Sequence, residues 1–89
     1  MIRRQLPVIN KLGLHARAAT KLASAAAHHQ CAVRTGKQEP LVDAKSIMSL
    51  MLLAANRGTE LIFEFDSSDE QVACDEITAL LANYFGEGE

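Results

Sequence analysis

The chain has no tryptophan, one tyrosine and three phenylalanines, so aromatic residues make up 4% of its 89 positions. Nucleic-acid surfaces rely on stacking rings and blocks of basic charge. With Lys+Arg 9 against Asp+Glu 11 and a formal charge of −2, the chain has neither. Nucleic acid is therefore not an expected partner. No apolar run approaches the roughly 18–20 residues of a membrane span, so no membrane insertion is expected. Met1-Ile2-Arg3-Arg4 leads into Gln5-Leu6-Pro7 rather than a signal-type apolar stretch, which points to the cytoplasm. Two cysteines, Cys31 and Cys74, are too few for a disulfide framework. Both fall at apolar positions and are expected as free, buried thiols in a reducing compartment. Linkers, repeats and low-complexity segments are also missing, so residues 1–89 are expected to form one domain. At this size about 60–65% of the unfolded surface is buried, and 48% apolar content supplies one core.

What is present alternates strand and helix. Ile2–Ile9 reads as a strand in which Pro7 cannot donate to a ladder, so it belongs at an edge. Ala16–Ala27 is an alanine-rich helix with a buried stripe of Ala19, Leu22, Ala23 and Ala26. Cys31–Thr35 is a short strand, Gly36-Lys37-Gln38 a turn and Pro40–Asp43 a weak strand. Ser46 reads as the N-cap of a helix over Ile47–Ala55 that Gly58 stops. In Glu60–Asp66, Leu61, Phe63 and Phe65 alternate with polar or outward positions, a half-buried strand. Ser68-Asp69-Glu70-Gln71 has the form of a capping box. The last helix is predicted to run to about Phe85, burying Val72, Ala73, Ile77, Leu80, Leu81 and Tyr84. Gly86-Glu87-Gly88-Glu89 is expected to fray. The order β-α-β-β-α-β-α with short central connections favours an α+β, two-layer open-faced sandwich: an antiparallel sheet covered on one face by three helices.

The chemistry concentrates in Asn10-Lys11-Leu12-Gly13-Leu14-His15-Ala16-Arg17-Ala18-Ala19. A histidine stands between a glycine-bearing turn and a helix start. The first N–H groups of a helix have no intrahelical partner, and the macrodipole adds positive potential there, so the spot is suited to an anion. The same potential disfavours imidazolium, which leaves a neutral ring nitrogen able to attack phosphorus. A phosphoryl group placed on His15 would face the N–H groups of Ala16 and Arg17 and the planar donor fork of Arg17. Phosphoryl transfer needs mainly positioning and charge stabilisation. The simpler reading of each part alone is a capping histidine and a solvated first-turn arginine. The full string is far more specific.

Asn10-Lys11-Leu12-Gly13-Leu14-His15-Ala16-Arg17 resembles the phosphohistidine motif of the HPr family, the histidine-containing phosphocarriers of the bacterial phosphotransferase system. Val42-Asp43-Ala44-Lys45-Ser46-Ile47-Met48-Ser49-Leu50-Met51 resembles that family's serine motif and docking helix. The position of Gly58, Asp69-Glu70 and the length also fit. The resemblance implies a four-stranded sheet of order 1-4-2-3. It implies that His15 accepts a phosphoryl group from the phosphohistidine of enzyme I, itself phosphoenolpyruvate-dependent, and passes it to a histidine of an enzyme IIA domain. In the family the ring nitrogen nearer the backbone carries the phosphoryl group. Arg17 would stabilise the phosphate.

The family usually has proline directly after that arginine, and this chain has Ala18, which permits the helix and adds one N–H donor. Ser46 has two compatible roles: the N-cap, and, by resemblance, a regulatory target of an HPr kinase/phosphorylase in lineages that have one. Phosphate there would set a dianion beside the docking patch and weaken partner binding. The second helix has more apolar side chains than one buried face can hold. By resemblance Ile47, Met48 and Met51, together with Leu14 and Thr20, are expected to form a partner-docking surface; the alternative is a helix buried all round. His28-His29 with Cys31 is read as capping charge rather than metal ligation. Neither metal nor cofactor is expected. The expected protein is a monomeric phosphotransferase-system component rather than a stand-alone enzyme. The Met51–Ala55 end of the second helix, the few lysines around His15 and the acidic tail look more like the nitrogen-related regulatory branch (NPr) than the sugar-transport branch. A non-transferring docking regulator on the same fold and an unrelated small-ligand-binding domain are the other readings.

Overall fold

A computed structural model describes residues 1–87. The elements are β1 (Ile2–Pro7), α1 (Ala16–Ala27), β2 (Ala32–Gly36), β3 (Val42–Asp43), α2 (Ile47–Leu52), β4 (Glu60–Asp66) and α3 (Glu70–Ala82), followed by a single turn at Tyr84–Gly86. The four strands form one antiparallel sheet in the order β1-β4-β2-β3. β1 runs from Ile2 opposite Phe65 to Pro7 opposite Glu60. Pro7 therefore lies on an edge strand, where a missing N–H does least harm.

The alternation in β4 builds the core. Leu61, Phe63 and Phe65 are fully buried, and the Phe63 and Phe65 rings stack with centroids 6.0 Å apart. Opposite them lie Ala18, Ala19, Leu22 and Ala26 of α1 and Ala73, Ile77 and Leu81 of α3. Alanine on the buried stripe of α1 lets that helix approach closely, and the stripe is wider than expected because Ala18 and Ala25 join it. On the open face Arg3 pairs with Glu64 of the neighbouring strand. Cys31 and Cys74 are free and buried. Among the described residues no helix is long and apolar enough to cross a membrane.

Several local expectations fail for non-local reasons. β1 ends at Pro7 rather than Ile9, although pairing continues through Val8, whose N–H donates to the Thr59 carbonyl at 2.8 Å. β2 begins at Ala32, and β3 shrinks to two residues. α2 stops at Leu52, six residues before Gly58, because Ala54 takes a left-handed φ of 51° and turns the chain. The capping box does not form. The N-cap of α3 is Asp69, whose carboxylate instead accepts from the Gln30 and Cys31 N–H groups at 3.0 and 2.9 Å. α3 ends at Ala82, with Tyr84 exposed beyond it and Phe85 taking the core position; Val72, in the first turn of α3, faces out and Leu80 is half-buried. Glu87 does not fray. Gly88 and Glu89 lie outside the described residues.

Candidate functional site

The β1–α1 loop is held from both sides. The Asn10 side chain is fully buried, and its Nδ2 donates to the Gly13 carbonyl at 2.8 Å, while the Gly13 N–H donates to the Asn10 carbonyl at 3.2 Å. Gly13 has φ +69°, and a Cβ there would lie 2.6 Å from the Ala55 carbonyl oxygen. Only glycine meets both demands cheaply. The next N–H, that of Leu14, donates to the same Ala55 carbonyl at 2.8 Å. The left-handed turn at Ala54 thus brings the segment after α2 against the loop before α1.

Leu14 is only 4% exposed and packs in the core. It is not part of a docking surface, because the loop that presents His15 outward must turn its neighbour inward.

His15 is the N-cap of α1, with extended backbone (φ −81°, ψ −177°). This place normally goes to Ser, Thr, Asp or Asn, whose oxygen accepts from an early helical N–H. Here His15 Nδ1 accepts from the Arg17 N–H at 3.3 Å. Nε2 lies 2.6 Å from Oε2 of Glu87. The partners assign the neutral tautomer: Nε2 carries the proton toward the carboxylate, and Nδ1 keeps its lone pair toward the helix start. That lone pair lies where the unpaired N–H groups of the first helical turn and the helix dipole would meet an incoming phosphoryl group.

Lys11, Leu12, His15, Ala16, Arg17 and Glu87 line an open cleft of about 550 Å³. Arg17 is exposed on its rim. Glu87 Oε1 accepts from Asn10 Nδ2 at 3.0 Å. Burial alone raises the Glu87 carboxyl, but hydrogen bonds from Asn10 and His15, with the charges of His15 and Arg17, outweigh it and hold Glu87 below its ordinary value. The helix dipole, which disfavours a charged ring, is thus opposed by a carboxylate on the far nitrogen.

Sequence reasoning singled out neither Asn10 nor Glu87 for a role at this site. Asn10 opened the motif, and an asparagine three residues before a glycine is a turn signal. No sequence pattern marks Glu87, which is 72 positions from His15.

The remaining predicted residues are less convergent. Thr20 is exposed one turn along α1, its hydroxyl donating to the Ala16 carbonyl at 2.8 Å. Ser46 caps α2, Oγ accepting from the Ser49 N–H at 3.2 Å. Ile47, Met48 and Met51 are 42%, 70% and 43% exposed, whereas Leu50 between them is fully buried. The apolar surface also takes in Leu52 and, on the loop, Leu12. His28 and His29 face Glu76 and Asp69. Among the described residues no group of three or more His, Cys, Asp or Glu side chains is placed to hold a metal ion.

Residues 2–83 match the sequence family described as the PTS HPr component phosphorylation site. The chain is 49% identical over 89 residues to a phosphocarrier protein HPr of Cupriavidus necator, covering all of both chains. It is 36% identical over 86 residues to a phosphocarrier protein NPr of Shewanella violacea, covering 97% of this chain and 94% of that one. A crystal structure of HPr from Thermoanaerobacter tengcongensis superposes with a TM-score of 0.93 at 31% identity, covering 98% of each chain. The histidine-capped helix start, the sheet order and these likenesses agree: the chain belongs to the HPr family, the phosphocarriers of the phosphotransferase system.

Proposed function

We propose that His15 receives a phosphoryl group on Nδ1 from the phosphohistidine of an enzyme I and passes it to a histidine of an enzyme IIA protein. The observation that carries this reading is the position of Nδ1: it is the cap of α1, with its lone pair on the helix start. The electrons of the donor's P–N bond return to the donor ring as the Nδ1 lone pair forms the new bond. The N–H groups of Ala16 and Arg17 and the Arg17 guanidinium then face the phosphoryl oxygens. Ala18 adds an N–H that proline would lack. The exposed side chains of Ile47, Met48 and Met51, with Thr20, supply the surface on which successive partners dock. Unbranched methionine adapts to more than one partner shape. The carrier works as a cytoplasmic monomer, because the same face must be free for each partner.

Incubation with phosphoenolpyruvate and enzyme I should give an acid-labile, base-stable label. The absence of label with the enzyme I of either branch would overturn the relay and leave a non-transferring docking regulator.

The finer reading assigns the carrier to the nitrogen-related regulatory branch. Two of its three grounds are weaker than expected, since α2 ends at Leu52 and Lys11 lines the His15 cleft. The acidic tail remains, with Glu87 at the site, and a relative named NPr adds support. The sugar-transport branch is favoured by one observation: the relatives at 41–49% identity bear the name HPr. Faster labelling by the sugar-branch enzyme I would decide for the latter. A kinase acting on Ser46 would place a dianion beside Ile47 and Met48 and weaken docking.

A further inference from the structure

The end of the chain is built to deliver a carboxylate to His15. After α3, Tyr84, Phe85 and Gly86 take φ values of 55°, 53° and 77°. Left-handed backbone is strained for a non-glycine residue, and such strain persists only where the surroundings enforce it. Three contacts enforce it here. Phe85 is fully buried. Lys21 of α1 donates Nζ to the Phe85 carbonyl at 2.7 Å. The Gly86 and Glu87 N–H groups donate to the Asn83 and Tyr84 carbonyls at 2.8 and 2.9 Å. The turn aims Glu87 back at the β1–α1 loop, where its side chain is only 9% exposed. Both its oxygens are engaged, one by Asn10 Nδ2 and one by His15 Nε2. A carboxylate is costly to bury without such partners.

We infer that Glu87 is a positioning residue for phosphoryl transfer, orienting the His15 ring and holding the Nε2 proton in place through both halves of the relay. This inference rests on the phosphocarrier reading above. When Nδ1 bonds to phosphorus, its lone pair is spent, and the ring becomes a cation if the Nε2 proton stays. Glu87 neutralises that cation at hydrogen-bond distance, so no proton needs to leave. When the phosphoryl group moves on, the P–Nδ1 electrons return to Nδ1, and the ring departs as neutral imidazole with Nε2–H still in place. A phosphorylated ring that had lost the proton would have to leave as an anion, which is a far poorer leaving group. The charged groups around this pair are Lys11 on the loop, Arg17 and Lys21 on α1, and Glu87 itself, with Tyr84 on the tail turn.

Two variants of the full chain test it: Glu87→Ala, which removes both bond and charge, and Glu87→Gln, whose amide oxygen still accepts but carries no charge. In the unphosphorylated protein, the hydrogen-bonded His15 Nε2–H should give a downfield, slowly exchanging NMR signal. It should disappear in Glu87→Ala and persist in Glu87→Gln. In both variants the alkaline limb of the pH profile for transfer from phospho-His15 to the acceptor histidine should move to lower pH. Onward transfer above neutrality should slow roughly tenfold or more, the scale of losing one hydrogen bond to a charged group. An unchanged Nε2–H signal in Glu87→Ala, or a pH profile of either variant that coincides with wild type, overturns the proposal. If His15 takes no label at all, the relay reading fails instead. The Nε2–H signal, which needs no phosphoryl group, still reports the Glu87 contact.

Discussion

The two ends of α1 each carry a histidine against a carboxylate, and they differ in what the second ring nitrogen faces. At the N-terminal end, His15 Nε2 meets Glu87 at 2.6 Å, while Nδ1 accepts from a backbone N–H. At the C-terminal end, His29 Nε2 meets Glu76 at 2.6 Å, but Nδ1 also faces a carboxylate, Asp69, at 3.4 Å. There Nδ1 faces a carboxylate instead of the unpaired N–H groups of a helix start, so an incoming phosphoryl group would meet negative charge. The dipole of one helix reinforces the contrast: its start accommodates an anion, its end a cation. His15 is also the more open of the two, at 28% side-chain exposure against 10%. One helix thus holds two histidine–carboxylate pairs, one open at a helix start and the other tying the end of α1 to α3.

Removing each histidine in turn should break that comparison most sharply. His15→Ala should abolish labelling from phosphoenolpyruvate and enzyme I completely. His29→Ala should leave the labelling rate within about twofold of wild type and instead lower the urea midpoint. Label remaining in His15→Ala would mean that a second histidine serves as acceptor, and the contrast between the two ends of α1 would fail.

Gly13→Ala probes the loop that makes the N-terminal end special. Its φ of +69° and a Cβ 2.6 Å from the Ala55 oxygen act together. Left-handed strain of about 1–2 kcal/mol plus displacement of the Ala54–Asn56 segment should cost at least about 2 kcal/mol. That is a large part of the stability of a small domain. Denaturant unfolding measures it, and a loss under about 0.5 kcal/mol would show that the loop is not locked against that segment.

What could be read in advance follows the range of the forces involved. α1 and β4 match their predicted limits because alanine content and strict alternation are local signals. The placement of His15 at the helix start and of Arg17 in its first turn is legible for the same reason, since both lie within one short string. α2 ends early so that the Ala55 carbonyl can accept the Leu14 N–H, close against Gly13, a demand from forty residues away that its own apolar sequence does not show. The capping box over Ser68–Gln71 fails because Asp69 is drawn to the Gln30 and Cys31 N–H groups. The tail sequence predicts fraying at Glu87, since nothing local reveals that Phe85 is anchored in the core and Lys21 holds its carbonyl.

Ala18→Pro tests how much the helix start depends on its backbone. Ala18 is fully buried in the first turn of α1, where proline's fixed φ is tolerated and one N–H is removed. Phosphotransfer should stay within about tenfold of wild type, or about 1.4 kcal/mol. A larger gain would mean that the turn is poorly preorganised with alanine. A larger loss would mean that the Ala18 N–H holds the phosphoryl group.

The smallest expected effect belongs to the C-terminal end of α1 and is read through pH. Glu76 lies below its ordinary value, first because of the hydrogen bond from His29, against the opposing effect of burial, and then through His28. For Asp69, burial raises the carboxyl, but the Gln30 and Cys31 N–H groups outweigh it and lower it too. A carboxyl depressed in the folded state contributes its stability in full above the unfolded value. That contribution is lost as the pH falls through the folded value, here in the region below roughly pH 4. Glu76→Gln removes one of the two groups. Wild type should therefore be more stable near pH 7, by under about 1 kcal/mol for a pair whose carboxylate is 39% exposed. The difference should shrink toward zero near pH 3, while Asp69 keeps both proteins acid-sensitive. Urea midpoints across that range give the comparison. A gap independent of pH would mean that Glu76 acts through packing rather than charge, and that the two histidine–carboxylate pairs differ in more than their second partner.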